Sequence, residues 1–267
     1  MSTKRIYAIF LRQVYLVRGT PTRFFQIFIW TTIDVTLWGF ISRYFGAVSG
    51  IKFGLIPILL GAVLLWDFLI QVMQGVTMSF FEDVWSHNFL NVFASPLRIS
   101  EYVGGLILAG IARSALALVV MLSLATFLFG LPILVYGASL ALFLLLLFLC
   151  GITLGIIGIT IVLRLGPSAE WFVWPIPAIL VPFVGVFYPL STLPQWMQYV
   201  GRVLPPSYVF DGVRTIVAGG TFPTSTLLWG TLLSLVYLFA AYGLFFRTYK
   251  NAVKSGLLSR YSAESVT

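Results

Sequence analysis

Long apolar runs separated by short polar stretches are the feature that most restricts how this chain can fold. A transmembrane helix needs about 20 mostly apolar residues, and six runs come close to or exceed that length: 24–45, 54–79, 103–129, 134–163, 171–189 and 226–246. With 60% hydrophobic and 9% charged residues and a mean hydropathy of +1.01, the chain has too little polar surface for a soluble protein. We predict an all-α integral membrane protein with six transmembrane helices in a single domain, 1–267.

The first 23 residues predict a helix that lies in the plane of the membrane. Apolar residues alternate at helical spacing with five basic ones: Lys4, Arg5, Arg12, Arg18 and Arg23. This pattern is typical of an interfacial amphipathic helix. A signal peptide needs an unbroken apolar core, which Arg12 interrupts, and a small-residue cleavage site, which is missing. We expect Thr20–Pro21 to turn the chain into the bilayer.

The distribution of Lys and Arg predicts the orientation of the chain. Eleven of these residues fall on the side that carries both termini, and four fall on the other side. Since positively charged loops stay in the cytoplasm, both termini are expected there. The net charge of +8 is therefore interpreted as topology and contact with lipid headgroups, not as nucleic-acid binding.

The stretch FFEDVWSHNFLNVFASPLRISEYVGG, residues 80–105, interrupts the apolar series and contains His87, the single histidine. We predict a short amphipathic helix over about 84–94, ended by Ser95–Pro96 because proline lacks the backbone donor. Its apolar face is made by Val84, Trp85, Phe89, Val92 and Phe93. This face fits a partner or the lipid boundary, or equally packing against its own protein.

Residues 190–224 predict two short helices, about 195–203 and 207–218, on either side of Pro205–Pro206. Each is too short to span, so we predict a re-entrant pair that shapes the outer exit; a surface cap is the alternative. Trp196, Tyr199 and Tyr208 suit the outer interface. Asp211 and Arg214 are three apart and predicted to pair, which leaves Arg202 to face headgroups, water or an anionic cargo.

Three charged residues fall inside predicted spans: Asp34, Asp67 and Arg113. Counted from the predicted helix ends, each lies about 15–18 Å deep. A lone charge there costs at least about 2.5–3.5 kcal/mol, so we expect mutual pairing. The set is either an ion pair that locks three helices or a polar patch on a translocation path or proton relay.

The fourth run contains Gly151, Gly155 and Gly158, a GxxxG-type seam that favours close helix packing over contact with a substrate. Signals for catalysis are missing from the sequence. It has no GxxxxGK[ST] phosphate loop, so the chain is not itself an ATPase. One histidine and one cysteine, Cys150, cannot build a zinc site. We predict no catalytic residue and no metal site.

Two stretches, NFLNVFASPLRISEYVGG and GVFYPLSTLPQWMQYVGRVLPPSYVFDGVRTIVAGG, resemble the permease subunits of ABC transporters of the type 2 exporter class. The resemblance covers nearly the full length. It implies two permease copies, expected as a homodimer, with two separate ATPase subunits that hold ATP and Mg²⁺. It implies export of a drug, lipid or lipid-linked glycan across a bacterial or archaeal plasma membrane.

The same resemblance makes 80–102 a cytoplasmic segment that docks on the ATPase. The residues expected to couple the two subunits are Glu82, Asp83, Val84, Trp85, Phe89, Phe93 and Arg98. Two other functions stay open. One is an ion-coupled transporter or channel that uses Asp34, Asp67 and Arg113. The other is a membrane-embedded enzyme or assembly factor.

Overall fold

A computed structural model describes residues 2–49, 56–86, 88, 95–131, 136–221 and 224–255, and their regular elements are all helical. The helices are α1 Thr3–Gly19, α2 Pro21–Ser49, α3 Gly61–Trp85, α4 Ile99–Phe129, α5 Ser139–Leu165, α6 Glu170–Val173, α7 Ile176–Val184, α8 Gln195–Val203, α9 Pro205–Val217 and α10 Thr224–Lys254. A π-helical turn, Ile56–Leu60, leads into α3.

Five helical segments are long and apolar enough to cross a membrane: Ile58–Trp85, Ile99–Phe129, Ser139–Leu165, Pro167–Val184 and Thr224–Lys254. They coincide with the second to sixth predicted spans. The first predicted span, 24–45, falls within α2, a 29-residue helix that is not among the five. A multi-pass helical membrane protein is therefore confirmed, whereas the count of six stays a prediction.

Helix α3 lies at the centre and packs against α4 and α5, and α5 packs in turn against α10. Glycines permit these close approaches. A Cβ on Gly151 would lie 2.6 Å from Val72 Cβ, and one on Gly155 would lie 2.8 Å from Val76 Cβ. Between α3 and α4, a Cβ on Gly75 would lie 2.7 Å from the Cα of Gly110. The predicted role of the glycine seam in helix packing is confirmed.

The segment Pro167–Val184 is broken into three short pieces, a 3-10 turn at Pro167–Ala169 followed by α6 and α7. Trp174 and Pro175 form the turn between α6 and α7, and the helix is interrupted there because proline has no N–H to donate. Helix α7 ends at Gly185, whose φ of 72° is left-handed, a conformation that glycine adopts without steric cost.

Helices α8 and α9 confirm the two short helices predicted between the last two spans. The double proline does not separate them, however, but occupies the first two positions of α9. Proline is tolerated there because a first-turn N–H has no intrahelical partner. The re-entrant arrangement relative to a membrane stays a prediction.

At the other end of the molecule, α3 continues through Trp85, so Val84 and Trp85 close this long helix and do not open a new one. Most of the predicted 84–94 helix lies outside the described residues. Helix α1 packs against α4, where Ile9 meets Gly105. We call this region, with the C-terminus of α3 and the N-terminus of α4, the α1 end.

Candidate functional site

A polar cavity of about 480 Å³ lies between α2, α3 and α4, beside the turn that precedes α7. Asp34 of α2, Asp67 of α3 and Arg113 of α4 all contribute to its wall. The other lining residues are Trp30, Thr31, Ile70, Gln71, Gln74, Met78 and Trp174. The structure therefore brings the three predicted intramembrane charges together around one cavity.

The two carboxylates of this cavity lie at the same level. Gln71 Nε2 donates to Thr31 Oγ1 over 2.9 Å, which relates the register of α2 to that of α3. Asp34 is three residues after Thr31, and Asp67 is four residues before Gln71. In antiparallel helices, both carboxylates then lie about 5 Å beyond this hydrogen bond. Two carboxylates at one level repel each other when both are ionised.

Arg113 lies nearer the α1 end than the two carboxylates do. The contact between Gly75 and Gly110 relates α3 to the antiparallel α4, and it places Arg113 level with residue 72. The offset from Asp67 along the helix axes is then about 7.5 Å. Within the described residues, no hydrogen bond or ion pair joins Arg113 to either carboxylate. The mutual pairing expected from the sequence is therefore not found.

Polar atoms on the cavity wall lack partners within the described part of the chain. They are Asp67 Oδ2, Gln71 Oε1 and Arg113 Nε, each of them buried. Gln71 as a whole is only 7% exposed. A buried polar atom without a partner costs about 1–3 kcal/mol, so these atoms are set to bind water or a ligand in the cavity.

A second charged group, the Arg12–Asp83–Tyr102 cluster, lies at the α1 end and is paired throughout. Both nitrogens of the Arg12 guanidinium fork contact the Asp83 carboxylate, Nη1 at 3.1 Å from Oδ2 and Nη2 on Oδ1. Tyr102 OH donates to Asp83 Oδ2 over 2.7 Å. Asp83 and Tyr102 are both completely buried.

This pairing keeps Arg12 charged. Burial lowers the pKa of Arg12, but the hydrogen bond and the negative charge of Asp83 raise it more, and the pKa lies above its ordinary value. A bidentate contact between a guanidinium and a carboxylate is among the stronger charge-assisted interactions. The cluster therefore fastens α1 to both α3 and α4.

Glu101 makes a second attachment of α1 to α4. Its carboxylate accepts hydrogen bonds from the backbone N–H of Ser2 at 2.6 Å and of Arg98 at 3.1 Å. Arg5 Nη1 lies 3.3 Å from Glu101 Oε2 and donates to the Pro96 carbonyl at 2.5 Å. The carboxylate also suits this position, since it satisfies a first-turn donor of α4.

The residues predicted to couple with an ATPase differ in exposure. Asp83 and Val84 are buried inside this chain. Glu82 is half-buried and lines a cavity of about 220 Å³ between α1, α3 and α4, which Arg113 also lines. These three residues therefore contact other parts of the same chain.

The other members of that set lie nearer the surface or beyond the described part of the chain. Trp85 is 48% exposed, and its Nε1 donates to Glu170 Oε2 over 2.8 Å. Arg98 is exposed. Phe89 and Phe93 are not among the described residues, and neither is His87 of the same stretch, which was not in the predicted set. Coupling through Trp85 and Arg98 stays a prediction.

The residues predicted at the outer exit lie on α8 and α9. Trp196 and Tyr199 are exposed, and the Arg202 guanidinium stands 6.0 Å from the centre of the Tyr199 ring. Tyr208 OH donates to the Arg202 carbonyl over 2.7 Å. These contacts join the two short helices at their shared turn.

The predicted pair on α9 is confirmed, because Arg214 Nη1 lies 3.4 Å from Asp211 Oδ1. Burial raises the pKa of Asp211, and the charge of Arg214 opposes that rise. Arg214 Nη2 also donates to the carbonyls of Gly185 and Val186, the latter at 3.0 Å. The last carbonyls of a helix have no N–H donor within the helix, and Arg214 supplies a donor to the carbonyls directly after α7.

A family model described as the ABC-2 type transporter matches residues 4–218, from α1 to the residue after α9. The match covers most of the chain and includes both charged regions. The chain belongs to the ABC-2 type transporter family. A comparison with curated proteins finds no match.

As an ABC-2 type protein, the chain is a permease subunit of an ABC transporter, a class that works with an ATPase partner. The matched region is a membrane domain and not an ATPase domain. The resemblance found in the sequence is thereby confirmed at the level of the family.

Sequence reasoning missed Gln71, Tyr102 and the partner of Arg12. A signal existed for Gln71, since it lies one turn from Asp67 on the same helix and carries a second polar side chain into an apolar run. No local pattern pairs Arg12 with Asp83, because they are far apart in the chain and meet only through tertiary packing.

Proposed function

We propose that this permease is the transmembrane subunit of an ATP-driven exporter that moves a drug, lipid or lipid-linked glycan out of the cytoplasm or inner leaflet. Two ATPase subunits supply ATP and Mg²⁺, and a second permease copy completes a homodimer. The complex resides in a bacterial or archaeal plasma membrane, with both termini in the cytoplasm. The family match over residues 4–218 is the observation that supports this proposal best.

In this proposal the 80–102 segment receives the motion of the ATPase. Two attachments support that role: the Arg12–Asp83–Tyr102 cluster and the Glu101 contacts both fasten α1 to the helices that flank the segment. A push on the segment would therefore move α1, α3 and α4 together. The exposed Trp85 is the described apolar side chain best placed to meet the partner.

The proposal is tested by isolating the tagged permease from its own membranes in mild detergent. The preparation should contain an ATPase whose activity is blocked by vanadate, and proteoliposomes should accumulate cargo only when ATP is supplied. Absence of vanadate-sensitive hydrolysis from a monodisperse preparation would count against the whole proposal.

Coupling through Trp85 is tested with a matched pair of variants. Trp85→Gln should retain assembly but lose most cargo-dependent stimulation of ATP hydrolysis. Trp229→Gln is the control, because Trp229 is similarly exposed, at 66% against 48% for Trp85, but belongs to α10 and to none of the predicted sites. Equal behaviour of the two variants would contradict a coupling role for Trp85.

An ion-coupled transporter is a second candidate, favoured by one observation. Asp34, Asp67 and Arg113 line a common cavity without pairing within the described residues. Charged groups in such positions often mark ion pathways. Transport driven by an ion gradient without ATP would support this candidate and refute the ATP-driven one.

A further inference from the structure

The cavity between α2 and α3 is rich in groups that attract a positive charge. Asp34 and Asp67 line it at one level, and Gln71, which also lines it, has a buried carbonyl oxygen without a partner among the described residues. Close carboxylates inside a protein are unfavourable unless a proton or a cation compensates them. A cation placed between them would remove the repulsion and occupy the free acceptors.

Two indole rings line the same cavity, Trp30 and Trp174, which are 64% and 38% exposed. Both rings are therefore partly accessible from outside the chain. The face of an indole is the best aromatic partner for a cation. Its apolar surface also suits the hydrocarbon part of a ligand that enters from the bilayer.

The size and polarity of the cavity restrict the ligand further. About 480 Å³ is enough for a small organic molecule and much larger than a bare metal ion needs. Arg113 lies about 7.5 Å from the carboxylate level, so its charge disfavours a cation at that end. The favourable place for a positive centre is therefore beside Asp34 and Asp67.

We propose that this cavity is a binding site for a lipophilic organic cation, held by Asp34 and Asp67, with Trp30 and Trp174 against its apolar part. The inference rests on the proposed function for its meaning, since the ligand would be the cargo of the exporter. It narrows the cargo from drugs, lipids and glycans to amphiphiles with a positive centre.

A pair of ions with the same shape tests the charge preference on the unmodified protein. The permease is placed in nanodiscs of phosphatidylcholine, and binding of tetraphenylphosphonium and tetraphenylborate is measured by equilibrium dialysis against empty discs. The cation should bind at least about tenfold more tightly than the anion, as expected for charge-assisted recognition. Equal binding, or tighter binding of the anion, would overturn the proposal.

Variants then locate the site. Asp34→Asn and Asp67→Asn should each weaken binding of tetraphenylphosphonium by about tenfold or more, and Arg113→Gln should strengthen it. Asp211→Asn is the control, because that carboxylate lies on α9 outside the cavity. Asp67→Glu should retain most of the affinity. Unchanged binding in both Asn variants would overturn the assignment.

The wild-type comparison decides the question even if a variant does not fold. Because this assay needs no ATPase, its result is separable from the proposed function. Selective cation binding, together with absence of vanadate-sensitive ATP hydrolysis from the native-membrane preparation, would sink the exporter proposal alone. ATP-driven transport with no charge preference in the nanodisc assay would sink this site alone.

Discussion

Two groups of charged residues include a side chain of α3. One is complete, in that its polar atoms are paired within the chain, and the other is incomplete. At the α1 end, Asp83 is buried between Arg12 and Tyr102, which occupy both of its oxygens. About 24 Å further along the same helix, Asp67 faces Asp34 and has one buried oxygen without a partner among the described residues. The first group is satisfied by the chain alone and holds helices together. The second leaves an acceptor for water or a ligand, which is a property expected of a binding site.

The largest effect is expected from breaking the complete group. Asp83→Ala strands the Arg12 charge beside a buried tyrosine hydroxyl, and loss of one partner of a buried pair costs about 3–5 kcal/mol. The variant should unfold at a markedly lower temperature in detergent, as measured by intrinsic fluorescence.

A double variant gives the control for this experiment. Arg12→Met combined with Asp83→Ala removes both charges and should recover part of the lost stability, because no uncompensated charge is left. If the single variant melts like the wild type, the pairing does not hold α1 in place.

A smaller loss is expected from Tyr102→Phe. This change removes one hydrogen bond to a charged acceptor, worth about 1.5–3 kcal/mol, and leaves the Arg12 contact intact. The unfolding temperature of this variant should lie between that of the wild type and that of Asp83→Ala. A loss as large as that of Asp83→Ala would mean that the hydroxyl and not the guanidinium dominates.

For the incomplete group, stability should barely respond. Arg113→Gln removes a charge that has no ion pair within the described part of the protein. The free energy of unfolding should therefore change by less than about 1 kcal/mol. It would even rise if removal of the desolvated charge dominates. The same thermal assay applies. A drop of several kcal/mol in the free energy of unfolding would indicate that Arg113 forms the salt bridge expected from the sequence.

The smallest effect is expected at Asp211, whose side chain is 45% exposed. Burial raises the pKa of Asp211, and the charge of Arg214 opposes that rise. Folding therefore favours the protonated carboxyl group. The stability that the protonated form contributes is lost as pH rises through the raised pKa. Asp211→Asn should therefore be slightly more stable near pH 7, by at most about 0.5 kcal/mol, and equal to the wild type in acid. A growing difference in acid would contradict this sign.

Features governed by local rules could be predicted from the sequence. Apolar length gave the helices, the spacing of Gly151, Gly155 and Gly158 gave the packing seam, and the three-residue spacing gave the pair of Asp211 and Arg214. The intramembrane charges were also found, since a charge in an apolar run is costly.

Features that depend on how helices are rotated and shifted against each other could not be predicted. Depths counted from helix ends placed Arg113 level with Asp67, whereas the glycine contact shifts it by more than one turn. A shift of that size is enough to separate Arg113 from the two carboxylates along the helix axes, although all three line one cavity. The pairing of Arg12 with Asp83 likewise depends on which face of α1 meets α3.

The single residue Thr20 between α1 and α2 has a mechanical consequence. Helix α2 is 29 residues long, and Asp34 lies 13 positions beyond Pro21, a lever arm of about 20 Å. A tilt of about 10° at Thr20 would sweep Asp34 sideways by about 3.5 Å, roughly the span of one polar contact. A small tilt of α2 at Thr20 would thus increase or decrease the distance between the carboxylates of Asp34 and Asp67.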